Sequence, residues 1–225
     1  MSQIILDIGS GNSLKTEMDA IKLIDAIKEV DTGKHEVVLK AQLFRHAPPN
    51  IPLDHHIFLV ARSYAWTLGY KMTSSVFDRD SSKFLLSCDN EHNRLPFVKI
   101  ACRPELYWLI GEVPRRIEVL FSADFRKGSP DPLYYHENVR AMWCISEYPA
   151  NKEDYIIDGL DEHPGSVSDH TVGWDLFREC RETRNDVKWF DNFGLWEKHV
   201  VLERDPKNPD AGPFACTPEE LREIL

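Results

Sequence analysis

"VSDHTVGW", residues 167–174, and "LWEKHVVL", residues 195–202, are two short β-type runs that each bring a carboxylate and an imidazole together, with His170 and His199 29 residues apart. A strand, a crossover helix and two turns need roughly 30 residues, so the interval is that of two successive parallel strands. Working back toward the N-terminus, six more β-type runs appear: 4–8, "EVVLKAQ" (36–42), "YKMTSS" (70–75), "PFVKIAC" (96–102), "RIEVLFS" (116–122) and "VRAMWCIS" (139–146). The polar residues closing the eight runs are Asp7, Lys40, Ser75, Lys99, Ser122, Ser146, His170 and His199, at intervals of 33, 35, 24, 23, 24, 24 and 29. Between the early runs, Met18, Ile21, Ile24 and Ile27, and then Ile57, Val60, Ala61, Tyr64, Ala65 and Leu68, repeat as helix faces do. Eight units in about 200 residues predict an α/β fold, a trimmed (β/α)8 TIM barrel, where about 250 residues are usual. One domain over residues 1–225 is expected. In such a barrel the polar strand ends converge on one face, where active sites are built.

Composition narrows the function classes. The chain is 42% hydrophobic and 28% charged with a net charge of −10, and no Lys/Arg-rich run stands out. Nucleic acid and anionic membranes are therefore not expected partners. No apolar run approaches membrane-spanning length, and the N-terminus lacks a signal-peptide pattern. Five cysteines without a Cys-x-x-Cys pair suit reduced thiols, so a cytoplasmic protein is expected.

The strand ends carry the chemistry. Neighbouring strands seven and eight would let His170 and His199 face one metal ion; the plainer reading of "SDHT" is a helix cap, with Asp169 or Thr171 accepting backbone N–H bonds. Lys40 and Lys99 close otherwise apolar runs, a costly place for a lysine unless an anion compensates it. The plainer readings are a snorkelling edge lysine and a surface ion pair. Together the two lysines argue for an anionic ligand.

With these residues in view, "IILDIGSGNSLKTEMDAIKLIDAIKE", "VVLKAQ", "GYKMTSSVFDRDSSKFL", "PFVKIAC", "CISEYP", "SDHT" and "EKHVVLERDPKNPD" resemble, in order, the pattern of the N-acetylneuraminate (sialic acid) synthase family from about residue 4 to 225. The resemblance implies that phosphoenolpyruvate condenses with the open-chain aldehyde of an N-acyl amino sugar, giving a 2-keto sugar acid and phosphate. It implies a divalent cation, Mn²⁺ or Mg²⁺, held by His170 and His199 and polarising the aldehyde as a Lewis acid. Lys40, Ser75, Lys99, Ser146 and Ser168 match positions lining the phosphoenolpyruvate end, as does Gln42. Glu197 and Asp210 match sugar-contacting acids, and Tyr148 matches the tyrosine after strand six.

Departures from the pattern fall mainly at the sugar end. Asp7 stands where the family has glutamate, and only Asn12 remains of an Asn-His dipeptide. Cys102, Arg103 and Pro104 replace Ser-x-Glu after strand four, leaving Glu105 one residue out of place; Arg103 would add positive charge for an anion or lie solvated. Ser146 replaces an asparagine. The chain ends in a helix opened by "TPEE", with Thr217 as cap and Glu220 at its third position, and no C-terminal antifreeze-like domain is expected. In the family that domain comes from the partner subunit and closes the sugar site; here a homodimer stays open. Loops 125–138 and 204–214 are the candidates to cover the site instead, and the second is favoured because it would bring Asp210 to the barrel mouth. Two other readings stand beside condensation: another metal-dependent aldolase or lyase on the same barrel, and a non-catalytic barrel binding a phosphorylated metabolite or a protein partner.

Overall fold

A computed structural model of the chain describes residues 3–45, 48–128, 136–155, 166–183 and 194–225. Eight parallel strands close into a barrel in chain order, β1 (Gln3–Gly9), β2 (Glu36–Leu43), β3 (Lys71–Val76), β4 (Val98–Ile100), β5 (Val119–Ala123), β6 (Val139–Cys144), β7 (Ser166–Asp169) and β8 (Leu195–His199). The ring shuts where β1 pairs with β8, Asp7 opposite His199. Crossovers are α1 (Glu17–Val30), α2 (His55–Thr67), α3 (Arg79–Ser87) and α4 (Asp175–Thr183), and α5 (Pro218–Leu221) lies near the end. The fold is a (β/α)8 barrel, trimmed where the intervals are short. Between β4 and β5 a 3₁₀ segment, Pro104–Glu112, replaces an α-helix, and a short 3₁₀ turn, Phe125–Lys127, follows β5. Much of the 125–138 loop lies outside the described residues.

Local chemistry explains the elements. Thr16 caps α1 and forms a reciprocal capping box with Asp19, satisfying two otherwise orphaned donors. The buried face of α1 is Ala20, Leu23, Ile24, Ile27 and Val30; it keeps Ile24 and Ile27 of the expected row but not its start at Met18, which is 53% exposed. Steps of three fall short of the 3.6-residue turn, so such a row drifts off the core, whereas steps of three and four keep to it. α5 carries the expected Thr217–Glu220 capping box.

The strands alternate strictly. Ile4, Leu6, Leu39, Val98, Phe121, Trp143 and Trp196 belong to the large core between barrel and helices. The neighbours of opposite parity, Ile5, Val38, Phe97, Leu120, Met142 and Leu195, form a separate apolar cluster inside the ring. Two residues further along each strand, the inward positions become Asp7, Lys40, Lys99, Ser122, Cys144 and Glu197. Because side chains alternate with period two, a hydrophobic plug at the bottom dictates a polar layer directly above it. β4 and β6 are shorter than expected, three and six residues, so Cys102 and Ser146 project from irregular chain beyond the ladder.

Candidate active site

The polar layer floors a cavity of about 680 Å³ at the C-terminal ends of the strands, lined among others by Asp7, Lys40, Gln42, Ser75, Lys99, Cys102, Arg103, Ser122, Cys144, Ser146, Tyr148, Ser168, His170, Glu197, His199 and Asp210. Every residue that the sequence marked for this site therefore reaches one cavity, of a size suited to a small metabolite. Glu105 does not reach it and lies exposed on the 3₁₀ segment. Asn12 is buried beside it, donating to Ser10 Oγ (2.9 Å) and accepting from Ile51 N–H (3.3 Å), so it braces the loop after β1.

At the centre is a chain of alternating charge. Lys40 Nζ donates to Asp7 Oδ2 (2.6 Å) and Ser75 Oγ (2.7 Å) and lies 3.0 Å from Glu197 Oε1. Lys99 pairs with the other oxygen of Glu197, and Gln42 Nε2 donates to Asp7 Oδ2 at 3.0 Å. All four charged groups are buried. Burial alone would raise the Glu197 and Asp7 pKa values, but Lys40 and Lys99 outweigh it at Glu197 and Lys40 foremost outweighs it at Asp7, so both carboxyls lie below the ordinary range. Burial likewise works against Lys40, and the two carboxylates overcome it, raising its pKa. Two cations balanced by two anions leave this core neutral, and Arg103 at the rim, lying over the Phe77 ring, adds positive charge.

In the first opening stretch the acid and the imidazole part company across the strand, whereas Glu197 and His199 of the second both face the cavity. Asp169 and Lys198 point out of the ring: Asp169 Oδ1 accepts from Thr171 N–H and Oγ1, both at 2.7 Å, while Oδ2 accepts from Lys198 Nζ at 3.0 Å. That pair ties β7 to β8; Asp169 holds the turn after β7 rather than capping a helix, since α4 begins only at Asp175, so the helix-cap reading of "SDHT" is replaced by a strand-end turn that leaves His170 facing the cavity. His170 and His199 face each other with ring centroids 5.6 Å apart. Nδ1 of His170 lies 2.7 Å from the Ile145 carbonyl oxygen; an acceptor there requires Nδ1–H, which leaves Nε2 with a lone pair in the neutral ring. Burial, the leading cause, pushes the His170 pKa down to about 3. His199 Nε2 lies 3.5 Å from Asp7 Oδ2, and its buried Nδ1 has no hydrogen-bond partner among the described residues. A neutral imidazole with a free lone pair beside an orphaned ring nitrogen fits two-histidine ligation of a divalent cation. Among the described residues, no cluster of three or more His, Cys, Asp or Glu could complete such a site, so water or substrate oxygens would supply the remaining positions, as suits Mn²⁺ or Mg²⁺.

The 204–214 loop forms one wall. Asp210 Oδ2 accepts from Ser10 N–H and Oγ, both at 2.7 Å, and Asn208 Nδ2 donates to Asn12 O (3.2 Å) and Ser13 Oγ (3.1 Å). Burial raises the Asp210 pKa against those two Ser10 bonds. Phe214 meets His199 (5.0 Å) and Tyr148 (5.1 Å), whose ring in turn lies 4.1 Å from His170. Tyr148 and Phe214 thus form an apolar rim over the two imidazoles. Sequence reasoning missed Phe214, Cys144 and Tyr155. Tyr155 OH donates to Ser168 O (2.9 Å) and accepts from Ile145 N–H (3.3 Å), fixing the strand end that bears His170. Strand parity through Met142, Cys144 and Ser146 could have found Cys144; no local signal marks the two aromatics.

No family model matches the sequence, and no curated protein matches it. Among solved structures, the fold is similar to the N-acetylneuraminic acid (sialic acid) synthetase from Leptospira borgpetersenii serovar Hardjo-bovis in complex with citrate, at 17% identity and a TM-score of 0.73, over 99% of this chain and 80% of that one. It is similar to the spore coat polysaccharide biosynthesis protein spsE of Bacillus subtilis at 21% identity and a TM-score of 0.72, over 99% and 65% of the chains. A truncated 3-deoxy-D-arabino-heptulosonate 7-phosphate synthase from Thermotoga maritima follows the same fold at 12% identity and a TM-score of 0.64, over 99% and 84%. The barrel is thus the one found in a sialic acid synthetase and a spore coat polysaccharide protein, over nearly the whole length of this chain.

Proposed function

We propose that this protein is a metal-dependent condensing enzyme that joins phosphoenolpyruvate to the aldehyde of an open-chain aldose of N-acyl amino sugar type, giving a 2-keto sugar acid and phosphate. The observation that carries the reading is the pair of buried lysines, Lys40 and Lys99, opening on the same cavity as the facing imidazoles of His170 and His199. The resemblance in sequence motifs and the likeness in fold to a sialic acid synthetase support it.

In this reading the lysines exchange part of their carboxylate contacts for substrate phosphate and carboxylate oxygens, and the exchange keeps each buried cation compensated. Ser75, Ser146 and Ser168 add hydroxyl donors around the anion, with Cys102 and Arg103 at the rim. Mn²⁺ or Mg²⁺ held by His170 and His199 would supply Lewis-acid polarisation of the aldehyde oxygen. Asp7, fixed by Lys40 and Gln42, and Asp210, fixed by Ser10, orient the sugar hydroxyls. Tyr148 and Phe214 exclude water above the imidazoles, which strengthens electrostatic contacts in the site. We read the 204–214 loop as this site's wall.

The test is phosphate release by the purified protein with Mn²⁺, phosphoenolpyruvate and a panel of aldoses. Release that requires both phosphoenolpyruvate and one aldose is expected. Pyruvate exchange without phosphate would assign the barrel to an aldolase or lyase, and stabilisation by phosphoenolpyruvate without turnover would make it a binding protein.

A further inference from the structure

Lys198 and Asp169 place opposite charges on the outer, dry side of the barrel wall. They are register partners on β8 and β7, and both side chains are fully buried in the layer that holds Val167, Trp174, Trp196 and Val200. Apolar residues are the rule in that layer, and replacing a buried ion pair by apolar residues of similar volume is often neutral or stabilising. Stability therefore does not explain the pair. Its contacts converge instead on the chain around His170. Lys198 Nζ donates to Asp169 Oδ2 (3.0 Å), one residue before His170, and to Thr171 O (2.6 Å), one residue after it. Lys198 itself immediately precedes His199. We propose that Lys198 and Asp169 are positioning residues, a charged strut behind the barrel wall that sets the separation and aim of the His170 and His199 imidazoles. The effect on metal affinity rests on the two-histidine reading of the site; the setting of the imidazoles does not.

The backbone bonds of the two histidines restrain each from its own side. The His170 carbonyl accepts from Ala150 N–H (2.9 Å) and its N–H donates to Tyr155 OH (3.4 Å), while the His199 carbonyl accepts from Cys216 N–H (2.8 Å). The β7–β8 ladder stops at Asp169 and Lys198, one residue short of both histidines. The Lys198 ammonium carries the link past that point. Asp169 Oδ1 closes the turn around His170 by accepting from Thr171 N–H and Oγ1, so the hold on Thr171 reaches the His170 backbone. Sliding one imidazole past the other, from centroids now 5.6 Å apart, pulls the ammonium off a partner where no solvent replaces it. That rigidity bears on metal affinity because, among the described residues, no third His, Cys, Asp or Glu joins the two imidazoles. With two protein ligands, affinity depends on how well their geometry is held before the ion arrives.

The test is the double variant Lys198→Met/Asp169→Asn in the full chain. It removes both charges together, so neither is left buried and unpaired, and the Asn amide oxygen still accepts from Thr171 N–H. Tm should stay close to the parental value, whereas Mn²⁺ affinity, followed by electron spin resonance, should fall about 10–100-fold. Nuclear magnetic resonance of the metal-free protein, isotope-labelled at histidine, should show the His170 Nδ1 proton, which faces the Ile145 carbonyl at 2.7 Å, exchanging faster with water. The contact between the two imidazoles should weaken. Tyr70→Phe is the control: it removes a bond to Asp31 (2.7 Å) just before β3, at the opposite end of the barrel. It should lower Tm and leave Mn²⁺ affinity and the imidazole signals unchanged. Parental Mn²⁺ affinity and imidazole signals in the double variant would overturn the proposal, as would an equal loss of affinity in Tyr70→Phe or a double variant that does not fold. If the parent protein itself binds no Mn²⁺, the two-histidine metal reading falls, and the imidazole signals decide the positioning: altered in the double variant they support it, unaltered they overturn it.

Discussion

Glu197→Gln separates the two duties of the central carboxylate. Glu197 sits between Lys40 and Lys99, and the two lysines depend on it unequally. Lys40 keeps Asp7 at 2.6 Å and Ser75 at 2.7 Å without it, whereas Glu197 is the partner recorded for buried Lys99. The isosteric amide leaves the packing unchanged and still offers an oxygen to Lys99, but it removes the compensating charge. Removing one member of a buried ion pair costs about 3–5 kcal/mol, and the retained hydrogen bond places this case near 3. For a chain of this length that is a fall in Tm of roughly 6–12 °C, since each kcal/mol moves Tm by about 2–4 °C. The same change removes the group that competes with a substrate anion for Lys99. A charge-assisted hydrogen bond contributes about 1.5–3 kcal/mol, so affinity for phosphoenolpyruvate should rise by about tenfold or more, measured by isothermal titration. Saturating phosphoenolpyruvate should then raise Tm further in the variant than in the parent protein. The reasoning is refuted if Tm and affinity both stay at parental values, or if affinity falls with Tm. The second result would mean that the Glu197 carboxylate holds substrate rather than occupying its place.

Three further outcomes follow from the geometry. In metal-free protein, His170 is neutral when folded down to about pH 3 but takes up a proton below about 6.5 when unfolded. Its stabilising effect is therefore complete above pH 6.5 and is lost as pH falls, by about 5 kcal/mol at most. The depressed Glu197 and Asp7 carboxyls act with the same sign but only below about pH 4.5, so His170→Gln should reduce the slope of denaturant-measured stability between pH 6.5 and 4.5, leaving the share of His35, whose pKa burial also lowers; an unchanged slope assigns it elsewhere. Gly9→Ala should cost roughly 1–3 kcal/mol, because Gly9 has φ of 87° and a Cβ there would stand 2.8 Å from Asp210 Oδ2; parental stability would show that the Asp210 wall yields freely. Mn²⁺ titrated into the protein, followed by its electron spin resonance signal, should bind the parent and not His199→Ala; equal binding by both would remove His199 from the metal site.

Much of this site is legible in the sequence. Parallel strands joined by crossovers recur at intervals set by chain geometry, and side-chain alternation is a property of each strand alone, so Asp7, Lys40, Ser75, Lys99, His170 and His199 could be placed on one face from their positions in the chain. Strand parity even separates outward Asp169 from inward His170, one residue apart. Which charge meets which lies beyond local patterns. Glu197 reaches Lys99 across 98 residues, and Asp7 meets His199 because β1 closes on β8; these pairings depend on the radius and closure of the ring. Phe214 over the imidazoles and Asp210 on Ser10 have the same origin. The sequence alone determined that eight strand ends would carry polar groups to a common face. Only the tertiary structure decided that the lysines rest on Glu197 and Asp7, because buried charges must be compensated by whichever opposite charges the closed barrel brings within reach.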